Sequence, residues 1–354
     1  MKNKYSAQMD WDWTVDLSLG SPHAFKDYLQ NYLNDAPTSR AIKLHELMPY
    51  NKLGVFPELE EQILRLHKKY HPNFINKNTK IVVSNGATHA IMALFHFASK
   101  QYLPMHIPVP FWFRLPDMAT MQDLILTKEI DEEITSATAL LTVPNNPDGK
   151  LQELTDKSKY KCVWYDCVYN WPWYFKNKND WPHQTIPDLP EVAIFSLSKF
   201  SGHCGTRIGW MVVNDPHLAN FLENYIEYDT SGVSVEAQLR AASVIKTFED
   251  NNLGDVYKHI VDKRKTELSI ILKKIQEVHS QEFNIKEFSV ENGMFAWIKD
   301  ELNCFVSNDI AVMPGWKCGA DNKYVRVNLC AEPCDWDEMM YRLNNYIVRQ
   351  CDNL

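Results

Sequence analysis

The chain has 354 residues, a formal net charge of −8, and 45% hydrophobic and 12% aromatic residues. Apolar content this high excludes a disordered chain and supplies core for one large α/β domain with a satellite, or for two packed domains. An acidic balance without any strongly basic block gives no electrostatic pull toward nucleic acid or an anionic membrane surface.

The N-terminus, MKNKYSAQMDWDW, carries acidic residues where a secretory leader needs an apolar stretch of about 7–15 residues. No apolar run approaches the roughly 18 residues needed to cross a bilayer, so a soluble, cytoplasmic protein is expected. Eight cysteines show neither a C-x-x-C pair nor a partnered histidine motif, which predicts reduced thiols and no structural metal. Residues 1 to about 50 read as an arm and part of a small domain, with a turn at Leu19 to Pro22. From Pro57 the spacing of Leu59, Ile63, Leu64 and Leu66 predicts an amphipathic helix that ends before HPN.

Six short runs follow: KIVVSN at 80–85, HIPVP at 106–110, ALLTVP at 139–144, KCVWYD at 161–166, VAIFSLS at 192–198 and RIGWMVV at 207–213. Apolar on both alternating positions, they suit strands covered on both faces, the signature of a mostly parallel sheet in an α/β domain. Residues 215–277 then turn helical, with a long helix leading out of the sheet. FNIKEFSV, GMFAWIK and KYVRVNL as strands, with a closing helix at WDEMMYRLNNYIV, make a smaller α+β lobe. The boundaries are an arm over 1–50, a large domain over 51–230, and an interdomain helix with a C-terminal small domain over 231–354.

Ligands of open α/β sheets sit beyond the carboxyl ends of the strands, so the polar residues after each run are the candidates. Gly86, Ala87 and Thr88 open a helix whose free N–H groups suit a phosphate, although the same text also serves as a plain capped turn. Asn146 is held extended by Pro147, which lets its amide point into a cleft; alone, N-P-D-G is more often a plain turn. Asp166 ends a buried strand, where its charge needs a cation, and Tyr169 lies three residues on. Lys199 is delivered to the same edge, where a partly desolvated amine can form a Schiff base. Arg207 is expected just inside the following strand as a bidentate partner for an oxyanion, with Ser201, Gly202 and Gly205 letting the backbone pass close to something bulky. Each of these residues is ordinary at a strand end; the combination is not.

In that order and at these spacings, NGAT, PFW, PNNPDG, YDCVYNWPWY, SLSKFSGHCGTRIGW and KYVRVNL resemble the fold-type I pyridoxal-phosphate aminotransferases, in the branch holding plant tryptophan aminotransferases and alliinase. The resemblance runs from about Tyr50 to the C-terminus, and S-x-S-K-x-x-G-H-x-G-x-R-I-G-W is its most specific element. It implies a mostly parallel seven-stranded sheet in a large domain, a smaller α+β domain, pyridoxal 5'-phosphate as cofactor, and a homodimer with the active site at the subunit interface. Lys199 would carry the cofactor through a Schiff base and serve as general base. Asp166 would pair with the pyridinium nitrogen, and Asn146 and Tyr169 would hydrogen-bond the ring's phenolate oxygen. Gly86, Ala87, Thr88, Ser196 and Arg207 would bind the phosphate, with Trp112 stacked on the ring and Tyr50 reaching across the dimer. Arg326 would grip the substrate carboxylate, with Asn146 and Gly20 beside the substrate. An arginine centred in an apolar strand points the same way by itself, since its burial needs an anion.

The implied activity moves the amino group of an aromatic or other large apolar L-amino acid to a 2-oxo acid by a ping-pong route. The same motifs serve a carbon–sulfur lyase that eliminates a β-substituent, and a catalytically silent pyridoxal-phosphate-binding regulator is a third reading. Against the regulator, no appended helix-turn-helix is present and all the chemical residues are. Against the lyase, the cysteine-rich N-terminal module of alliinase is missing. Trp112 stands where the plant enzymes more usually carry tyrosine, which keeps a ring and loses a phenol. Trp11, Trp13, Trp112, Trp171 and Trp173 can line an aromatic pocket or pack in the core.

Overall fold

The computed structural model describes residues 15–26, 28–29, 54–128, 136–154, 156–176, 181, 186–279 and 291–351. Tyr50, Trp11, Trp13 and the FNIKEFSV segment lie outside them. The first half runs β1 (Val15–Asp16), α1 (Pro57–Tyr70), β2 (Lys80–Ser84), α2 (Ala87–Lys100), β3 (Met105–His106), α3 (Leu115–Met121), β4 (Leu126–Thr127), β5 (Ala137–Thr142) and β6 (Tyr160–Asp166). There follow β7 (Val192–Ser196), α4 (Leu197–Phe200), β8 (Gly209–Val213), α5 (Pro216–Thr230), α6 (Val235–Asp250) and α7 (Leu253–Val278). The last part holds β9 (Phe295–Lys299), β10 (Ile310–Ala311), β11 (Met313–Pro314), β12 (Tyr324–Asn328) and α8 (Pro333–Cys351).

A seven-stranded sheet has the order β2-β8-β7-β6-β5-β3-β4, and its pairs are parallel except where β8 meets β2 and β7. Strands β5, β7 and β8 are buried at every position, as unbroken apolar runs require when both faces are covered. The run at 106–110 yields only the two-residue β3, because Pro108 and Pro110 have no N–H to give a ladder. Beside it the two-residue, half-buried β4 completes the edge.

Helix α1 turns Leu59, Ile63, Leu66 and His67 inward and leaves Leu64 half-buried, so the buried stripe takes a histidine. It packs on α6, with Arg65 2.8 Å from Asp250 and Lys69 2.7 Å from Glu249 across the rim. A second, antiparallel sheet has the order β11-β12-β9, and β1 pairs in parallel with β10. The N-terminal segment is thereby laid along this second sheet: Leu17 donates to the Ala311 carbonyl and accepts from Asn328. Among the described residues no helix is long and apolar enough to cross a membrane, and all eight cysteines are free thiols.

Behind the large sheet lies an aromatic core. Trp171 and Trp173 are buried there, stacked with ring centroids 5.6 Å apart and packed on Phe200, so of the two alternatives open to them they take core packing. The indole of Trp210 can only donate, so His67 Nε2, 2.8 Å away, accepts. The proton of a neutral His67 then sits on Nδ1, 3.2 Å from His71 Nδ1, and His71 Nε2–H donates to the Asn170 carbonyl at 2.9 Å. Burial, and next the charge of His71, hold His67 well below the ordinary histidine range. The unfolded chain takes up this proton below about pH 6.5 and the folded chain refuses it, so this stability is present above that pH and lost as pH falls. His67→Gln keeps an acceptor for Trp210 and does not titrate. Urea midpoints at pH 5 and pH 7 are expected to differ less in this variant than in the parent.

Candidate active site

The register of the large sheet gathers the chemistry at one edge. Gly209, first residue of the antiparallel β8, pairs with Ser84 at the end of β2 and with Ser196 at the end of β7. Asp166 at the end of β6 pairs with Thr142 at the end of β5. A cavity of about 270 Å³ opens there. Its large-sheet wall carries Ala87, Thr88, Trp112, Asn146, Asp166, Tyr169, Ser196, Lys199 and Arg207, and its opposite wall carries Gly20 and Arg326. Of the residues expected from sequence, Gly86 lies just behind this wall under Arg207, and Tyr50 lies outside the described residues.

Arg207 is not inside the strand. It occupies a left-handed turn, φ 56° and ψ 45°, ahead of β8, a conformation that costs a non-glycine residue about 1–2 kcal/mol. The physical reason is close backbone contact: a Cβ on Gly209 would fall 2.6 Å from the Gly86 carbonyl carbon, so the strand begins at the glycine and the chain turns before it. That turn lays the guanidinium over Gly86, where Nη1 donates to the Cys204 carbonyl at 2.9 Å and Nη2 to the Asn85 carbonyl at 3.2 Å. Beneath it, Gly86 is the N-cap of α2, and no side chain caps that helix. Uncapped amides at a positive dipole end, beside an arginine, form a cup for an oxyanion.

Gly86 itself sits at φ 81° and ψ 164°, a region nearly closed to other residues, and its Cβ would lie 2.1 Å from Arg207 Nη2. Gly86→Ala is therefore expected to push Arg207 off the cup and weaken cofactor affinity at least about tenfold, the loss of one charge-assisted hydrogen bond, as read by fluorescence titration of the apoprotein.

Lys199 is the third residue of the single turn α4, whose N-cap Ser196 accepts from Ser198 N–H at 3.1 Å. Its Nζ donates to the Gly20 carbonyl, and burial lowers its pKa, with Cys204 opposing and Arg326 reinforcing that shift. Asp166 is 5% exposed, and burial raises its carboxyl to about 7, against a 3.3 Å hydrogen bond from Val168 N–H, the Lys199 charge and a hydrogen bond with Thr142. Among the described residues Asp166 makes no ion pair, and Lys199 acts on it only through its charge.

Arg326, centred in β12 and 2% exposed, donates from Nη1 to Asn146 Oδ1 at 2.8 Å and from Nη2 to the Ser18 carbonyl at 2.6 Å. Its Nε has no partner, and its guanidinium lies 4.1 Å from the Phe295 ring centroid. Because arginine only donates, Asn146 turns Oδ1 toward it and Nδ2 toward Tyr169 Oη, 3.1 Å away. The Tyr169 hydroxyl, whose pKa is pushed up by burial, thus accepts from Asn146 and keeps its own hydrogen to donate.

Several lining residues escape sequence reasoning. Ser198 Oγ lies 3.5 Å from Arg207 Nη1 and could have been found as the second serine of S-x-S-K. Cys204, Phe295 and Met313 carry no local signal; the last two reach the cavity from the second sheet. A buried carboxyl lacking a cation, an arginine with an orphaned Nε, a half-buried lysine and an uncapped helix start all face one cavity. This donor set fits a phosphorylated, cationic aromatic ring bearing an aldehyde, with a carboxylate beside it.

Comparison with known proteins agrees. A family model described as allinase (Alliinase_C) matches residues 15–347. Tryptophan aminotransferase-related protein 2 of Arabidopsis thaliana is 31% identical over 264 residues, covering 70% of this chain and 58% of the relative. Alliin lyase 2 of Allium sativum is 29% identical over 235 residues, covering 59% of this chain and 47% of the lyase. These matches span less than two thirds of either relative's own length. A multiple-substrate aminotransferase from Thermococcus profundus superposes with a TM-score of 0.69 at 14% identity, covering 100% of this chain and 97% of that one; it shares the fold.

Proposed function

This chain belongs to the allinase family, fold-type I enzymes that depend on pyridoxal phosphate, and from that premise we propose that it is an aminotransferase moving the amino group of an aromatic or other large apolar L-amino acid to a 2-oxo acid. Lys199 would hold the cofactor covalently, with Asp166 at the ring nitrogen, Asn146 and Tyr169 at the ring oxygen, and Trp112 beside the ring. Gly86, Ala87, Thr88, Ser196, Ser198 and Arg207 would hold its phosphate. Within a homodimer, Tyr50 of a second copy would complete that set. When bound, pyridoxal phosphate supplies an aldehyde for the amino group and a ring that draws electrons from the α-carbon.

The protein's own groups then have defined tasks. Lys199 Nζ, its basicity lowered by burial, takes the proton from the substrate's α-carbon and returns it elsewhere. Nε and Nη2 share one edge of the Arg326 guanidinium, so a carboxylate that displaces the Ser18 carbonyl from Nη2 gains two parallel hydrogen bonds while Asn146 keeps Nη1 in place. Ile91, Trp112, Phe113, Val168, Phe295 and Met313 give the cavity apolar walls, which exclude water and favour an apolar side chain.

One observation carries this reading: Lys199 and Arg326, whose Nε has no partner, line a single apolar-walled cavity. A lyase would use the same groups, and the likeness to alliin lyase supports that second reading. Incubation with ¹⁵N-labelled amino acids and an unlabelled 2-oxo acid separates the two. Label in a newly formed amino acid is the expected result, and stoichiometric free ammonia with pyruvate from a β-substituted donor would overturn transfer.

A further inference from the structure

Outside the cavity lining, one histidine is wired to the oxyanion cup. His89 lies in the first turn of α2, and its side chain is 10% exposed. Backbone N–H of Asn85 points at His89 Nδ1 over 3.3 Å, so Nδ1 is the unprotonated acceptor and the ring proton sits on Nε2. Nε2 is 3.0 Å from Asp229 Oδ2, near the end of α5. Asn85 is also the residue whose carbonyl accepts from Arg207 Nη2 at 3.2 Å. A continuous line of contacts thus runs from Asp229 through His89 and Asn85 to the arginine of the cup.

We propose that His89, oriented by Asp229, is a positioning residue that fixes the Asn85 peptide and so aims Arg207 at the phosphate of the bound cofactor. The ring lines no cavity of the site; Nδ1 is engaged by the Asn85 N–H, and Nε2, which makes no hydrogen bond, has the Asp229 carboxylate 3.0 Å away as its charge contact. Burial opposes a second proton on the ring, partly offset by Asp229, which keeps Nδ1 available as acceptor. The residue touches neither substrate nor reacting atoms, so its effect is confined to phosphate recognition.

The inference rests on Arg207 as a phosphate ligand. Apoprotein is titrated with pyridoxal phosphate and, separately, with pyridoxal, which lacks only the phosphate; the ratio of the two dissociation constants isolates the cup. In His89→Leu, affinity for pyridoxal phosphate is expected to fall about tenfold, with pyridoxal binding changed less than about twofold. His89→Asn, whose Oδ1 can replace Nδ1 as acceptor, is expected to restore the ratio to within about threefold of the parent, and it serves if the leucine variant fails to fold. Equal weakening toward both compounds, or an unchanged ratio, overturns the proposal. Arg207→Ala runs alongside: if it too leaves the ratio unchanged, the assignment of Arg207 falls with the proposal. If Arg207→Ala loses the ratio and His89→Leu does not, His89 alone is excluded.

Discussion

Lys199→Ala is expected to lower turnover at least about 10³-fold, because in the proposed reaction the variant loses both the amine that would hold the cofactor covalently and the base that would move the α-proton. The reasoning is geometric. Among the described residues Lys199 is the lysine lining the cavity, held in a one-turn helix that Ser196 caps. After borohydride treatment and digestion, the parent should carry the cofactor mass on the peptide holding Lys199, and the variant should carry none. Alanine is tolerated in α4, and truncating this side chain removes a desolvated amine from the interior, so the variant should unfold no earlier than the parent. Appreciable turnover by a folded variant would remove Lys199 from the mechanism.

Asp166→Asn is expected to act in opposite directions on chemistry and on stability. With the carboxyl at about 7 in the folded chain and 3.8 unfolded, the folded state holds a proton that the unfolded chain has released. That contribution is fully present below pH 3.8 and is lost as pH rises through about 7. At about 1.4 kcal/mol per unit, a buried carboxylate at pH 8 costs the apoprotein on the order of 4 kcal/mol. Asparagine keeps an acceptor for the Val168 N–H and has no such titration. Apo Asp166→Asn should therefore resist urea better than the parent at pH 8, with the difference shrinking toward pH 4. Holoenzyme turnover should fall about 10²–10³-fold, the usual effect of removing one preorganised electrostatic partner. A parent apoprotein equal to the variant at pH 8 would show that a cation already compensates the carboxylate.

How far the sequence reached depended on whether a residue's role was local. Strands β5, β7 and β8 were legible because burial on both faces forces unbroken apolar runs, and Asp166, Lys199 and Arg326 stood out as charges where apolar runs end or are interrupted. The two-residue β3 and β4 were not, since prolines and half-exposure blur so short a pattern. Arg207 was expected one element too late because its turn is imposed by the meeting of Gly209 with Gly86, 123 positions away in sequence. Phe295 and Met313 enter the cavity through the register of a second sheet, and Trp171 and Trp173 leave it by stacking on Phe200; no local spacing encodes either outcome.

The segment from Ser18 to Gly20 already answers two cations of the cavity with peptide oxygens, one on Arg326 and one on Lys199. An incoming molecule must therefore outbid a neutral acceptor that is tethered and prealigned. A carboxylate can do so, because its bonds to a guanidinium are charge-assisted, whereas an amino acid amide merely exchanges one carbonyl for another. Discrimination against uncharged look-alikes is in this way written into the main chain, and amino acid amides should be poor ligands even where their side chains match the walls.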